Sequence, residues 1–300
     1  MANPSDSHKP TALVTGIDGF TGRYVGAALA EAGYRVVGMS HVAGQDVHPA
    51  DLCDRAAVAE VVNRVQPDVV VHLAAIAFVA HGDADAIYRT NVTGTRHLLE
   101  ALAALPRAPR AVLLASSANV YGNSEVELLT EETVAAPAND YAVSKLAMEY
   151  MAKLWMDKLP IILARPFNYT GVGQSEKFLL PKIVGHFRRG ERTIELGNIE
   201  VARDFQDVRF VADAYRRLLE SPVAVGETVN ICSGVAHSLM DVVRMLEGLA
   251  NYAIDVRVNP AFVRANDVLK LLGSNEKLER LIGSLEVVPL ERTIAWMYGA

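Results

Sequence analysis

Thr11-Ala-Leu-Val-Thr15 runs straight into Gly16-x-x-Gly19-x-x-Gly22, and no other feature limits this chain's fold so strongly. A short β-branched and apolar run predicts a buried strand, and the apolar pattern after the glycines predicts a helix. The first glycine permits a tight turn, and the second lets another group come close to the backbone. The third lets the helix lie against the sheet. A strand, a glycine turn and a helix also make a purely structural connection, so the segments that follow must decide between the two.

Those segments keep alternating. Runs at 35–39, 68–73, 111–116 and 161–165 read as further short strands rich in Val, Leu and Ile. Between them, 22–32, 54–65, 86–105 and 140–159 read as helices. The order βαβαβ implies an α/β fold with a parallel, doubly wound sheet and helices on both faces. Ligands of such sheets lie at the carboxyl ends of the strands, where the strand order reverses. After Pro166 the pattern becomes irregular, with recurrent Gly, Pro and Asn, and only 213–219, 239–249 and Thr228–Ile231 read as two helices and a strand. The expected division is residues 1–165 and residues 166–300, with some later segments returning to the first sheet.

Composition narrows the functional class. The chain is 51% apolar and 21% charged with a formal charge of −6, and it has no dense Lys/Arg run, which argues against a nucleic-acid surface. The longest apolar stretch, 69–80, contains His72 and is too short to cross a bilayer. Residues 1–10 are polar and lack the apolar segment of a signal peptide, so a cytoplasmic protein is expected. Cys53 and Cys232 fit no disulfide or metal pattern.

In its strand-to-helix context the glycine turn predicts a dinucleotide pyrophosphate at a helix N-terminus, held by Gly16, Asp18, Gly19, Phe20 and Gly22. An NAD site places an acid about 20 residues on. Here that segment is Gly38-Met39-Ser40-His41, without a carboxylate. Arg23 could meet a 2′-phosphate or simply face solvent. The expectation is therefore NADP, with NAD open. Asp51 and Leu52 suit an adenine cap, although Asp51 could equally be an acid at a helix start. Leu73, Ala74 and Ala75 end the third strand with side chains small enough to leave room for a cofactor. His72 reads as a core histidine. Asn91 reads as either a backbone anchor near the active site or an exposed helix residue.

Tyr141-Ala-Val-Ser-Lys145 sets a phenol and an ammonium one helical turn apart on one face. A cation beside a tyrosine draws its pKa down from about 10, and the pair can then pass a proton to or from an alcohol oxygen. The spacing alone also fits an exposed helix pair, but its company gives it weight.

Together, Thr15-Gly16-x-x-Gly19-Phe20-x-Gly22, His72-Leu-Ala-Ala75, Ser116-Ser117-x-x-Val120-Tyr121-Gly122, Tyr141-x-x-x-Lys145 and Arg165-Pro-Phe-Asn168 resemble the nucleotide-sugar branch of the extended short-chain dehydrogenase/reductase family. The resemblance covers nearly the whole chain. It implies a Rossmann-type domain followed by a smaller α/β nucleotide-sugar domain. It makes Tyr141 the acid/base and gives Ser117 a hydrogen bond to the reacting oxygen. Lys145 would hold the nicotinamide ribose, and the hydride would come from the cofactor.

Dehydratases of this branch need ionisable acids just before Val-Tyr-Gly. Ala118-Asn119 stands there, so 4,6-dehydration is disfavoured. The stretch from Leu196 to Val208 resembles the GDP-sugar subgroup, and Arg165-Pro-Phe-Asn168 and Val229-Asn-Ile-Cys-Ser-Gly234 resemble its reductases. By that resemblance Asn168, Leu179 and Lys182 contact the nucleotide, Arg203 and Arg264 grip the diphosphate, and Asp267 holds the ribose. The implied activity is NADPH-dependent reduction at C4 of a GDP-linked 4-keto-6-deoxyhexose, in a homodimer. A reductase giving the other C4 epimer uses the same residues. An NAD-dependent 4-epimerase is the second possibility, and a non-catalytic dinucleotide sensor the third. The retained Ser117, Tyr141 and Lys145 argue against the sensor.

Overall fold

The computed structural model describes residues 9–77, 82–262 and 270–300. These residues form two compact units. The first contains the described residues of 1–116 with Asn139–Ala164 and Tyr215–Thr228, and the second contains Ser117–Ala138, Arg165–Ala214 and the described residues of 229–300. The division interleaves along the chain: 117–138 belong with the second half, and 215–228 with the first.

In the first half, strands β1 (Thr11–Thr15), β2 (Arg35–Ser40), β3 (Val47–Pro49), β4 (Val69–His72), β5 (Ala111–Ala115) and β6 (Ile161–Pro166) alternate with helices α1 (Phe20–Glu31), α2 (Arg55–Val65), α3 (Ala84–Tyr88), α4 (Thr95–Ala103) and α5 (Asp140–Lys153). β1 pairs in parallel with β2 on one side and β4 on the other, so Ala12 faces Val36 and Val69. β2–β3, β4–β5 and β5–β6 are parallel as well. The strand order 6-5-4-1-2-3 reverses direction beside β1, which makes its carboxyl end a switch point. A later strand, Thr228–Ile231, closes the β6 edge as the seventh.

The core of the first unit gathers Leu13, Val37, Val62, Leu98, Leu99, Leu102, Val112, Leu114 and Leu163, all at most 2% exposed. Each fully buried side chain of this size stabilises the fold by roughly 1.5–3 kcal/mol. The sheet strands are apolar at nearly every position because both faces are covered. Asp54 caps α2 by accepting from Ala56 N–H and Ala57 N–H, and Gln66 ends it in the left-handed conformation.

Three local expectations change. The helix expected over 86–105 is three pieces, with a π-helical turn, Arg89–Gly94, between α3 and α4. The helix expected over 140–159 stops at Lys153, and turns carry the chain on to β6. β3 is an unexpected strand of three residues that contains Pro49 at the free edge, where a proline removes no needed donor.

The second unit is more regular than its Gly/Pro/Asn content suggests. It adds β7 (Asn168–Thr170), α6 (Leu179–Arg188), β8 (Thr193–Leu196), β9 (Ala202–Asp207), β11 (Ala236–Ser238), α8 (Leu239–Ala250), β12 (Asp255–Val258), β13 (Lys270–Leu271), α9 (Glu276–Ile282) and α10 (Leu290–Gly299). Here β10 is Thr228–Ile231, and α7 is Val208–Glu220. β9 is the hub. It pairs in parallel with β7 and β13 and antiparallel with β11, while β8 and β12 form a separate parallel pair. Ile183, Phe187, Ile194, Val242, Leu246 and Ile294 make this unit's own core. Among the described residues no helix is long and apolar enough to cross a membrane.

Candidate active site

In the first unit the candidate residues collect at the carboxyl edge of the sheet. Gly16 leaves β1 with φ +70°, and a Cβ there would lie 3.0 Å from the backbone of Ala74. A Cβ on Gly22 would lie 2.1 Å from Gly16 O, so α1 could not begin so close to the strand with any other residue. Gly16 N–H donates to Met39 O at 2.8 Å, and Gly19 N–H to Gly16 O at 3.1 Å. These contacts shape a bare backbone cradle at the first turn of α1. Asp18, Gly19 and Arg23 are exposed around it, and the Phe20 ring meets the Tyr24 ring edge-on at 5.6 Å between centroids. The absence of a side chain at 16, 19 and 22 fits a dinucleotide pyrophosphate.

Around the cradle, β2 ends at Ser40 with no carboxylate, and Ser40 Oγ accepts from Val42 N–H. Leu52 is buried, while Asp51 is exposed and accepts from Cys53 N–H at 2.8 Å. The helix N-cap role falls to Asp54, and the exposed Asp51 carboxylate is held in its own local turn. Gly94 in the π turn lets α4 pass close to Leu52, because a Cβ there would stand 2.8 Å from Leu52 Cβ.

A buried hydrogen-bond chain links β1 to α5. Thr15 Oγ1 meets His72 Nδ1 at 2.7 Å, and Thr95 Oγ1 meets His72 Nε2 at 2.9 Å. Thr95 donates its own hydroxyl proton to Asn91 O at 2.7 Å, so Nε2 must carry the imidazole proton and Nδ1 must accept from Thr15. Thr15 Oγ1 also accepts from Leu73 N–H and Ala74 N–H. Burial, then the Lys145 charge, holds the His72 pKa down at about 3, which keeps the ring neutral. Asn91 is 1% exposed. Its side chain accepts from Ile76 N–H and donates to Ile76 O and Ser144 Oγ, and Ser144 donates in turn to Tyr141 O. Asn91 is thus a buried backbone anchor. It lies within the π turn.

Tyr141 and Lys145 lie on the buried face of α5, 8% and 6% exposed. Lys145 Nζ is 5.9 Å from the Tyr141 ring centroid and donates to Ala115 O, at the end of β5, at 2.7 Å. Burial lowers the Lys145 pKa to about 8, and the charge of Glu149 opposes the fall. Glu149, one turn further along, is 1% exposed and accepts from Ser116 Oγ. Glu149 belongs to no motif in the sequence, yet its i+8 spacing from Tyr141 puts it on the same face.

The two adjacent serines therefore diverge. Ser116 in the first unit serves Glu149, whereas Ser117 in the second caps a short 3₁₀ turn, Ala118–Tyr121, by accepting from Asn119 N–H. Within the second unit Tyr121 Oη donates to Asn230 and accepts from Arg165, whose guanidinium stacks 5.0 Å from the Tyr121 ring centroid. Gly122 is required next: it has φ +57°, and a Cβ would come within 1.7 Å of Ala136 O. These motif residues are architecture.

Of the residues expected to hold the nucleotide, Asn168 is exposed on β7 and Leu179 is 37% exposed at the start of α6. Lys182 Nζ donates to Glu195 O at 2.9 Å and lies 4.6 Å from the Phe262 ring centroid, a cation–aromatic pair that no sequence motif announces. Arg203, part-buried on β9, donates to Ala202 O at 2.9 Å. Arg264 and Asp267 lie outside the described residues.

The GDP-mannose 4,6 dehydratase family model matches residues 13–297. The chain belongs to this family. Its members here are extended short-chain dehydrogenase/reductase proteins, NAD(P)-dependent oxidoreductase-type enzymes of nucleotide sugars. Among characterised relatives, GDP-6-deoxy-D-talose 4-dehydrogenase of Aggregatibacter actinomycetemcomitans is 35% identical over 91% of each chain. GDP-6-deoxy-D-mannose reductase of Pseudomonas aeruginosa is 32% identical over 94% of each. Among solved structures, RMD from Pseudomonas aeruginosa in complex with NADPH superposes with a TM-score of 0.85 at 29% identity, covering 97% of each chain. A candidate epimerase from Burkholderia cenocepacia J2315 superposes with a TM-score of 0.91 at 51% identity, also over 97% of each.

Proposed function

We propose that this protein reduces the C4 ketone of GDP-4-dehydro-6-deoxy-D-mannose to give GDP-D-rhamnose. The observation that carries the reading is the pair Tyr141–Lys145, seated on one helix face in the same unit as the glycine cradle, at the carboxyl edge of the sheet. Gly16, Asp18, Gly19, Phe20, Gly22, Arg23, Asp51, Leu52, Leu73, Ala74, Ala75 and Asn91, with Tyr141 and Lys145, would surround the cofactor. When bound, NADPH supplies the hydride. Tyr141 then donates its phenolic proton to the C4 oxygen as negative charge develops there, and Ser117 gives that oxygen a hydrogen bond. Lys145 as an ammonium favours the phenolate left behind. Asn168, Leu179, Lys182, Arg203, Arg264 and Asp267 are assigned to the GDP part, where guanidinium forks and an ammonium match a diphosphate.

Support for simple reduction over dehydration comes from Ala118 and Asn119, neither of which can act as the acid or base that loss of water requires. The missing acid at the end of β2 and the exposed Arg23 favour NADPH. The relative from Aggregatibacter favours a second reading, in which the same residues act on the other face of the ring and the product is GDP-6-deoxy-D-talose. A homodimer is also proposed, through α4 and α5, where Tyr150 and Leu154 are 64% and 76% exposed.

The test mixes purified protein and NADPH with the GDP-linked keto sugar, and separately with GDP-mannose and with UDP-glucose. Loss of reduced-cofactor absorbance with the keto sugar alone is the expected result. Conversion of UDP-glucose without net redox change would establish a 4-epimerase instead. Tyr141→Phe should bind NADPH normally and turn over about 10²–10⁴-fold more slowly.

A further inference from the structure

We propose that Glu149 is a positioning residue for the reaction: its carboxylate, fixed by the hydroxyl of Ser116, is the counter-charge that keeps Lys145 an ammonium on the carbonyl of Ala115. The proposal rests on the reading above, in which Lys145 works as a cation. Tyr141, Lys145 and Glu149 follow one another at four-residue spacing along the buried face of α5, beside Met148 and Ala152. Ser116 and Ala115 are consecutive residues where β5 ends, so one short segment of sheet holds both members of the pair. The strand carbonyl accepts a hydrogen bond from Lys145 Nζ at 2.7 Å, and the next residue's hydroxyl, 3% exposed, donates to Glu149.

A buried ammonium is stable only with a partner charge or full hydrogen bonding, because burial favours its neutral form. The groups that face Lys145 are the neutral His72 from β4, the Tyr141 ring from the same helix, the Ala115 carbonyl and Glu149. His72 adds no negative charge, and a carbonyl offers only a dipole. Among the described residues of the first unit, Glu149 is the carboxylate in the buried set. A carboxylate there is itself costly to bury, and Ser116 meets that cost with a directed hydrogen bond. Glu149 is one turn too far from Tyr141 for a helix-neighbour contact, so its influence on the reaction runs through Lys145.

The test reads the proton on Lys145 directly, in the apo protein. Lysine labelled with ¹³C at Cε is titrated by NMR in the wild type, with the Lys145 signal identified by its loss in Lys145→Met. In Glu149→Gln, which keeps the shape and the partner for Ser116, the midpoint should fall by about one pH unit, a tenfold weaker hold on the proton. The alkaline limb of kcat/KM should move down with it. In Glu149→Asp, which keeps the negative charge, the Lys145 midpoint should stay closer to the wild-type value than in the Gln variant, a second measurement that does not depend on the Gln variant folding. A Lys145 midpoint unchanged in Glu149→Gln, or as low in Glu149→Asp as full loss of the charge would make it, would overturn the proposal. A wild type that does not reduce the keto sugar, with the Lys145 midpoint moving as expected in the variants, would instead refute the substrate reading and leave the role of Glu149 as counter-charge standing.

Discussion

His72 gives this fold a stability that weakens in mild acid. The ring is 4% exposed, sits between two threonine hydroxyls and has a pKa of about 3 in the folded chain, against an ordinary 6.5. The folded state therefore refuses a proton that the unfolded chain accepts. Stability from this group is fully present above about pH 6.5 and is lost as pH falls towards 3. The loss is about 1.4 kcal/mol for each pH unit below 6.5, so about 2 kcal/mol is gone by pH 5. In His72→Gln the glutamine cannot titrate. The variant should be less stable at pH 7 by about 1–3 kcal/mol from its disrupted hydrogen bonds. Between pH 6.5 and 5, however, its stability should fall less steeply than that of wild type, by about 1.4 kcal/mol per unit. Urea unfolding followed by fluorescence of Trp155 and Trp296 measures both slopes. Carboxylates elsewhere, including the buried Asp204, whose pKa burial raises, contribute equally to both proteins and cancel. Parallel slopes for the two proteins would refute the assignment of a neutral, Nε2-protonated His72.

Three further outcomes are expected. Gly22→Ala places a methyl group 2.1 Å from Gly16 O, so the cradle must open; NADPH affinity measured by calorimetry should fall at least about tenfold. Asn91→Ala leaves Ile76 N–H without its buried acceptor and should lower stability by about 1–3 kcal/mol, read by urea unfolding, together with a loss of turnover. With Lys145 titrating at about 8, the kcat/KM for ketone reduction should hold at neutral pH. It should then fall as pH rises above about 8, and a profile that stays flat to pH 10 would contradict a catalytic ammonium.

The first unit was largely legible because its signals are local. Thr11–Thr15 is a strand of the expected length, and β2, β4, β5 and β6 lie within a residue or so of expectation, since a strand buried on both faces must be continuously apolar. The π turn was hidden because it differs from the flanking helix in its hydrogen-bond pattern and carries no residue-type signal within 86–105. The second unit was harder to read. Its strands are two to six residues long, and β9 finds partners more than thirty residues away in either direction, a pairing that no local pattern announces. At the candidate site, the spacing of Tyr141 and Lys145 was visible, but Glu149 was not, because an acid in a helix reads as solvated until its surroundings are known. Arg165, Tyr121 and Asn230 carried the resemblance as motif letters, and the structure makes them one buried cluster.

The most direct measurement uses NADPH bearing deuterium at both nicotinamide C4 positions, mixed with the GDP-linked 4-keto-6-deoxy sugar, with the product read by NMR. The account predicts one deuterium on sugar C4 for each cofactor oxidised. A sugar product without deuterium, or cofactor left unoxidised while the sugar changes, would contradict it.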